Sequence, residues 1–131
     1  MSFADVRKIA LALPGVEEST SYGTPAFKVK GKFLARLRED NESLAIKCGF
    51  DERDLRLQAD PRTFFVTEHY RGYPVVLVHM NVVTPTTLAQ VMEEAWRRNA
   101  PKRLIDEWIA SQVTAEAVPR AKARRPPRRS G

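Results

Sequence analysis

The stretch that most constrains this chain runs from Thr63 to Met80, TFFVTEHYRGYPVVLVHM, the most apolar and β-prone run in the sequence. Phe64, Phe65 and Val66 lead into a polar tip, and Val75 to Val78 lead out of it. Strand formers on both sides of a short segment holding Gly72 and Pro74 predict a hairpin. Val76 and Val78 point to one face of their strand, and Val75 and Leu77 to the other. Apolar residues on both faces place that strand in the middle of a fold. The tip carries His69, Tyr70, Arg71 and Tyr73. A turn closes without two aromatics, a histidine and a permanent cation, so the tip is the first functional candidate. Its competing reading has both tyrosines lying over the sheet edge as amphipathic lids, with Gly72 there only for its backbone.

Ahead of the hairpin, Phe3, Val6, Ile9, Ala10 and Leu13 recur at helical spacing. They predict a helix over Ser2 to Leu13, with Ser2 and Asp5 as a capping box and Pro14-Gly15 as the stop. Val16 to Thr24 reads as a polar loop. Three short alternating runs follow, Pro25 to Lys30, Phe33 to Arg38 and Leu44 to Lys47, with turns at Gly31-Lys32 and Glu39 to Glu42. They predict an antiparallel meander with Phe27, Val29, Phe33, Ala35, Leu37, Leu44 and Ile46 toward the core. The opposite face then collects Lys28, Lys30, Arg36, Arg38 and Lys47.

Asp51 reads as the cap of a short helix ending near Ala59, with Leu55 and Leu57 apolar. Thr84 caps a stronger one, with Pro85 in its first position and Leu88, Val91, Met92, Ala95 and Trp96 as its stripe. A last helix is expected from Pro101 to Ser111, burying Leu104, Ile105, Trp108 and Ile109. The order α-β3-α-β2-α-α predicts a two-layer α+β domain over 1–112, a five-stranded antiparallel sheet with helices on one face.

Charge enters through its distribution. The chain of 131 residues has a net charge of +6, and after Val113 six basic residues face one acid. The Arg/Pro-rich segment 113–131 therefore carries about +5 and the body about +1. The basic character belongs to this segment, expected to be a disordered tail that binds polyanions or merely solubilises. No apolar run approaches the roughly 20 residues that span a bilayer. No export signal is visible, and the single Cys48 cannot form an internal disulfide, so a cytoplasmic home is the expectation.

Several chemistries find no support. His69, His79 and Cys48 lack the paired spacing of metal ligands, so no metal or cofactor is expected. Cys48 has no identifiable base, no serine stands in an elbow motif, and no catalytic residue is assigned. The five cations of the sheet face, with Tyr22, Tyr70 or Tyr73 at its edge, fit a surface that neutralises phosphates and stacks bases. They equally fit the solvated outer face of an antiparallel sheet.

The blocks SYGTPAFKVKGKFLARL at Ser21 to Leu37, DPRTFFVTEHYRGYPVVLV at Asp60 to Val78 and AWRRNAPKRLI at Ala95 to Ile105 together resemble the MmcQ/YjbR family. The resemblance covers roughly residues 1 to 111 and leaves the Arg/Pro tail outside. It implies an α+β fold related to small two-layer chaperone-like domains, and a non-enzymatic DNA-binding role with a double-wing use of sheet and hairpins. On that expectation Lys28, Lys30, Arg36, Arg38 and Lys47 neutralise phosphates, while His69, Tyr70, Arg71 and Tyr73 make closer contacts. DNA is the expected partner and a monomer the expected state. The alternative is a protein-interaction module in which the tail alone binds polyanions.

Overall fold

The computed structural model describes residues 1–124, with side chains through Val113. The chain divides into Met1–Ala100 and a second unit that begins at Pro101. The first unit holds α1 (Phe3–Leu11), β1 (Val16–Ser21), β2 (Thr24–Val29), β3 (Lys32–Leu37), β4 (Ser43–Lys47) and α2 (Phe50–Ala59). It continues with β5 (Phe64–Phe65), a single 3-10 turn (Glu68–Tyr70), β6 (Val75–His79) and α3 (Pro85–Asn99). The strands form one antiparallel sheet in the order β1-β2-β3-β4-β6-β5.

The expected α+β architecture holds, with six strands instead of five. Val16 to Ser21, expected as a loop, is an edge strand paired residue for residue with β2. Its four central side chains are all exposed, so it has no apolar alternation to read. Backbone pairing alone makes it a strand. The two-residue connections Tyr22-Gly23 and Lys30-Gly31 both have positive φ, at 54° and 80° and at 49° and 79°. This is the backbone hand that matches the twist of a hairpin, and glycine adopts it without strain.

Across the sheet, Phe27, Ala35, Ile46 and Val76 lie in one row on one face, and Leu37, Leu44, Val78 and Phe64 in the next. Phe3 of α1 stacks on Phe27 with centroids 5.7 Å apart. The predicted stripe of α3 is buried throughout, and Trp96 donates its indole N–H to the Pro14 carbonyl at 2.8 Å. The caps of α1 and α3 are as read from the sequence. Ser2 and Asp5 close a capping box, and the Thr84 hydroxyl accepts from the Thr87 amide.

Two details depart from the alternation pattern. A register shift between Phe27 and Lys28 leaves Leu34 without a partner on β2, and Lys28 pairs with Phe33. This bulge keeps Leu34 and Ala35 buried and turns Phe33, expected with the core, to the opposite face. In α2 the N-cap is Gly49 rather than Asp51, and Leu55 is 66% exposed. The buried residue of that helix is Arg53.

In the second unit, α4 (Lys102–Arg124) opens with the Leu104 amide bonded to the Pro101 carbonyl at 3.0 Å. Leu104, Ile105 and Trp108 are half-buried, whereas Ile109, expected inside, is exposed. The helical backbone runs past Val113, where the tail was expected to begin. An apolar stripe governs packing, and its end does not stop local hydrogen bonding. Residues 125–131 lie outside the described residues. Among the described residues no helix is long and apolar enough to cross a membrane.

Candidate functional site

Arg36, Ala45, Leu77 and Phe65 are directly opposite one another across β3, β4, β6 and β5, and they belong to the face away from Phe27 and Ile46. Ala45, Val75 and Leu77 form a small buried cluster there, with Phe65 and Tyr70 packed against it. Toward β2 the face opens into a cavity of about 680 Å³. Its walls hold five rings, those of Tyr22, Phe33, His69, Tyr70 and Tyr73. Lys28, Arg36 and Lys47 supply its cations and Glu39 its carboxylate.

Arg36 closes this cavity as a structural member. It is 6% exposed, and its Nη2 donates to the Tyr70 hydroxyl at 2.5 Å. Its Nη1 donates to the Thr24 hydroxyl at 3.1 Å and the Leu37 carbonyl at 3.3 Å, and both nitrogens reach Glu39. Burial works against the guanidinium charge, but the bonds to Tyr70 and Glu39 outweigh it and raise the pKa. The Glu39 carboxyl is held below its usual range by a backbone hydrogen bond and by Arg36. Arg38 is likewise engaged: it donates to the Ser43 hydroxyl at 2.9 Å and lies over the rings of Phe65 and Tyr70.

Lys28 and Lys47 differ from these arginines. Neither makes a salt bridge among the described residues, although Glu17 is the cross-strand neighbour of Lys28. Lys47 donates to the neutral Asn99 side chain at 2.9 Å. An ammonium has three donors, so Lys47 keeps its charge and two of them. Lys30 is exposed in the β2–β3 turn and does not line the cavity. Arg71 is outside the lining as well and pairs with Glu68 at 3.1 Å.

The tip is held from below. Arg53 reaches out of α2, stacked on Phe50, and its guanidinium donates to four carbonyls. These belong to Tyr70 at 3.3 Å, Tyr73 at 2.9 Å, Val75 at 3.3 Å and Arg71 at 3.0 Å. One buried cation thus fixes the segment that carries His69, Tyr70 and Tyr73. His69 meets Tyr70 edge-on at 4.9 Å. The sequence reading did not single out Arg53. Its signal was present: Phe50, Arg53 and Leu57 share a helical stripe, and a cation on an apolar stripe calls for buried acceptors.

The structure therefore brings Lys28, Arg36, Lys47, His69, Tyr70 and Tyr73 into the cavity lining and leaves Lys30, Arg38 and Arg71 outside it, Arg38 lying over the Tyr70 ring. Tyr22 is 85% exposed on the β1–β2 turn, with the Arg36 guanidinium 5.3 Å from its ring centroid. Among the described residues, no three His, Cys, Asp or Glu side chains converge to hold a metal ion. A second, smaller hollow contains Cys48, whose thiol burial pushes up to about 11.

A sheet with one helix-covered face and one cationic, aromatic cavity defines the class: a two-layer α+β domain with a ligand-sized hollow. A family model for YjbR matches residues 11–98, and the chain belongs to that family. It resembles the "Uncharacterized protein Rv2570" of Mycobacterium tuberculosis, 36% identical over 52 residues, and the "Uncharacterized protein Mb2600" of Mycobacterium bovis to the same degree. Each match spans 40% of this chain and 40% of the relative. Among solved structures, the Deinococcus radiodurans protein DR2400, with the family-model domain DUF419, superposes with a TM-score of 0.61. That likeness covers 72% of this chain and 75% of the other at 21% identity, and it speaks to the fold alone.

Proposed function

We propose that this domain is a non-enzymatic nucleic-acid-binding module, with DNA as its partner, working through the cavity face and the 68–75 tip. The observation that carries the reading is a pair of lysines, Lys28 and Lys47, that make no salt bridge among the described residues and line a cavity walled by five rings. Cations that release counterions supply affinity for a phosphate backbone, and aromatic faces stack bases without demanding a sequence. The basic residues after Val113 would add non-specific affinity. The test is fluorescence anisotropy of labelled single- and double-stranded DNA with the full chain, across a salt series. Replacing Lys28 and Lys47 together by Ala should weaken binding and flatten the log–log salt slope by roughly 1.5, two phosphate contacts' worth. If that variant binds like the parent, and only replacement of the basic residues after Val113 abolishes binding, the reading is wrong for the domain.

A protein-interaction role has one feature in its favour. Among the described residues the outer edge of β1 has no partner strand, and an extended segment could add there as a further strand. Salt separates the two, since a strand-addition complex persists at ionic strengths that dissolve a phosphate-driven one.

A further inference from the structure

We infer that the cavity is a subsite for one unstacked nucleotide, a nucleoside monophosphate unit presented by a single strand or free in solution. This deepens the nucleic-acid reading and rests on it for the strand-borne case. The volume of about 680 Å³ lies within the roughly 300–1,000 Å³ of small-ligand sites. A duplex would put no base into such a hollow, because its bases are stacked on one another and offer only their edges in the grooves. An unpaired base has two open π-faces, and the cavity lining offers rings from two separate segments, Tyr22 on the β1–β2 turn and Tyr73 on the tip.

Neither ring is held by burial. Tyr73 is 56% exposed and Tyr22 85% exposed. Tyr22 also occupies a left-handed backbone position (φ 54°), where asparagine or glycine is the low-strain choice. A large exposed ring at a strained position is a reason to look for a ligand. The charges agree with this. Arg36 is matched by Glu39 in the floor, so the lysines leave the lining with net positive charge. Lys28 on β2 and Lys47 on β4 can then meet the phosphate while the rings take the base. Arg53 fixes the tip carbonyls in advance, so little backbone ordering remains to be done on binding.

The experiment uses the full chain with a labelled short oligothymidylate, the corresponding duplex, free thymidine monophosphate and inorganic phosphate. Single-strand binding should exceed duplex binding, and thymidine monophosphate should displace the strand at concentrations where inorganic phosphate does not. Tyr22→Asn, which suits the left-handed backbone, should weaken both ligands about tenfold or more, the size of a lost base stack. Tyr73→Ala should do the same, with unchanged circular dichroism in each case. If the strand binds but the mononucleotide neither binds nor competes, and both tyrosine variants are silent, the subsite is disproved while the nucleic-acid reading stands. If the mononucleotide binds and no strand does at any salt, the subsite stands as a free-nucleotide site and the nucleic-acid reading falls. If neither binds, both fall.

Discussion

The two faces of the sheet are built on different physical terms. On one, Phe27, Ala35, Ile46 and Val76 meet α1 and α3 through apolar contact, and the indole N–H of Trp96 is the notable directional bond. On the other, a small apolar cluster is finished by arginines: Arg36 joined to Tyr70, Arg38 over two rings, and Arg53 on four carbonyls. The first face is fixed by volume, which is non-directional and tolerant of repacking. The second is fixed by hydrogen bonds from buried cations, which specify one geometry and are expensive to leave half-made. A binding cavity needs rings held apart, and volume-filling would have closed it.

The comparison breaks most sharply at Trp96, fully buried on the helix side. Trp96→Ala should cost about 3–5 kcal/mol by denaturant titration, with the whole first unit losing stability together. A loss below 1 kcal/mol would mean that volume does not hold that face. The next effect is at Arg53. Arg53→Met keeps bulk but strands four carbonyls, and should cost about 2–3 kcal/mol. Amide exchange should speed up in Tyr70 to Val75 before it does in β3 and β4. Uniform acceleration across the sheet would show that Arg53 supports the fold at large rather than the tip.

The smallest effect is electrostatic, at the turn beside the cavity. Burial tends to raise the Asp40 pKa, but the Glu42 amide, the Ser43 hydroxyl and amide, and Arg38 together hold it below the usual range. Glu39 and Glu18 are lowered too, Glu18 chiefly by its bond from Arg7. A carboxyl whose folded pKa is depressed adds stability above its unfolded value, near 4, and loses it as pH falls through the folded value. Stability should therefore be flat above about pH 5 and decline below about pH 4. Asp40→Asn should shallow that decline by lowering stability at neutral pH, where the charged carboxylate contributes, toward its value in acid. A decline that already begins near pH 6 would show that these carboxyls do not govern it.

How legible each region was follows from the same contrast. The hairpin of Phe64–Phe65 and Val75–His79, the capping box at Ser2, the Thr84-Pro85 helix start and the α3 stripe could all be read from local pattern. Each depends on residues a few positions apart. Val75 and Leu77 facing away from Val76 and Val78 followed from strand period alone. The edge strand Val16–Ser21 could not be read, since exposed strands carry no apolar signal. The inversion of Phe33 could not either, because a bulge shifts the period without marking it in composition.

The sequence by itself determined the class of fold, the caps of α1 and α3 and a middle strand with two apolar faces. It also pointed to Lys28, Lys47 and the His69 to Tyr73 tip. Those conclusions rest on periodicity and local hydrogen bonding, which act over a few residues. Tertiary structure alone decided which cations are free and which are spent. Lys28 and Arg36 look alike in a sequence, yet Arg36 is taken up by Tyr70 and Glu39 while Lys28 has no salt-bridge partner among the described residues. Arg53 meets carbonyls 17 to 22 residues further along the chain. A side chain's partners come from strands and turns brought together only when the sheet closes, and that closure turns a row of charges into a cavity.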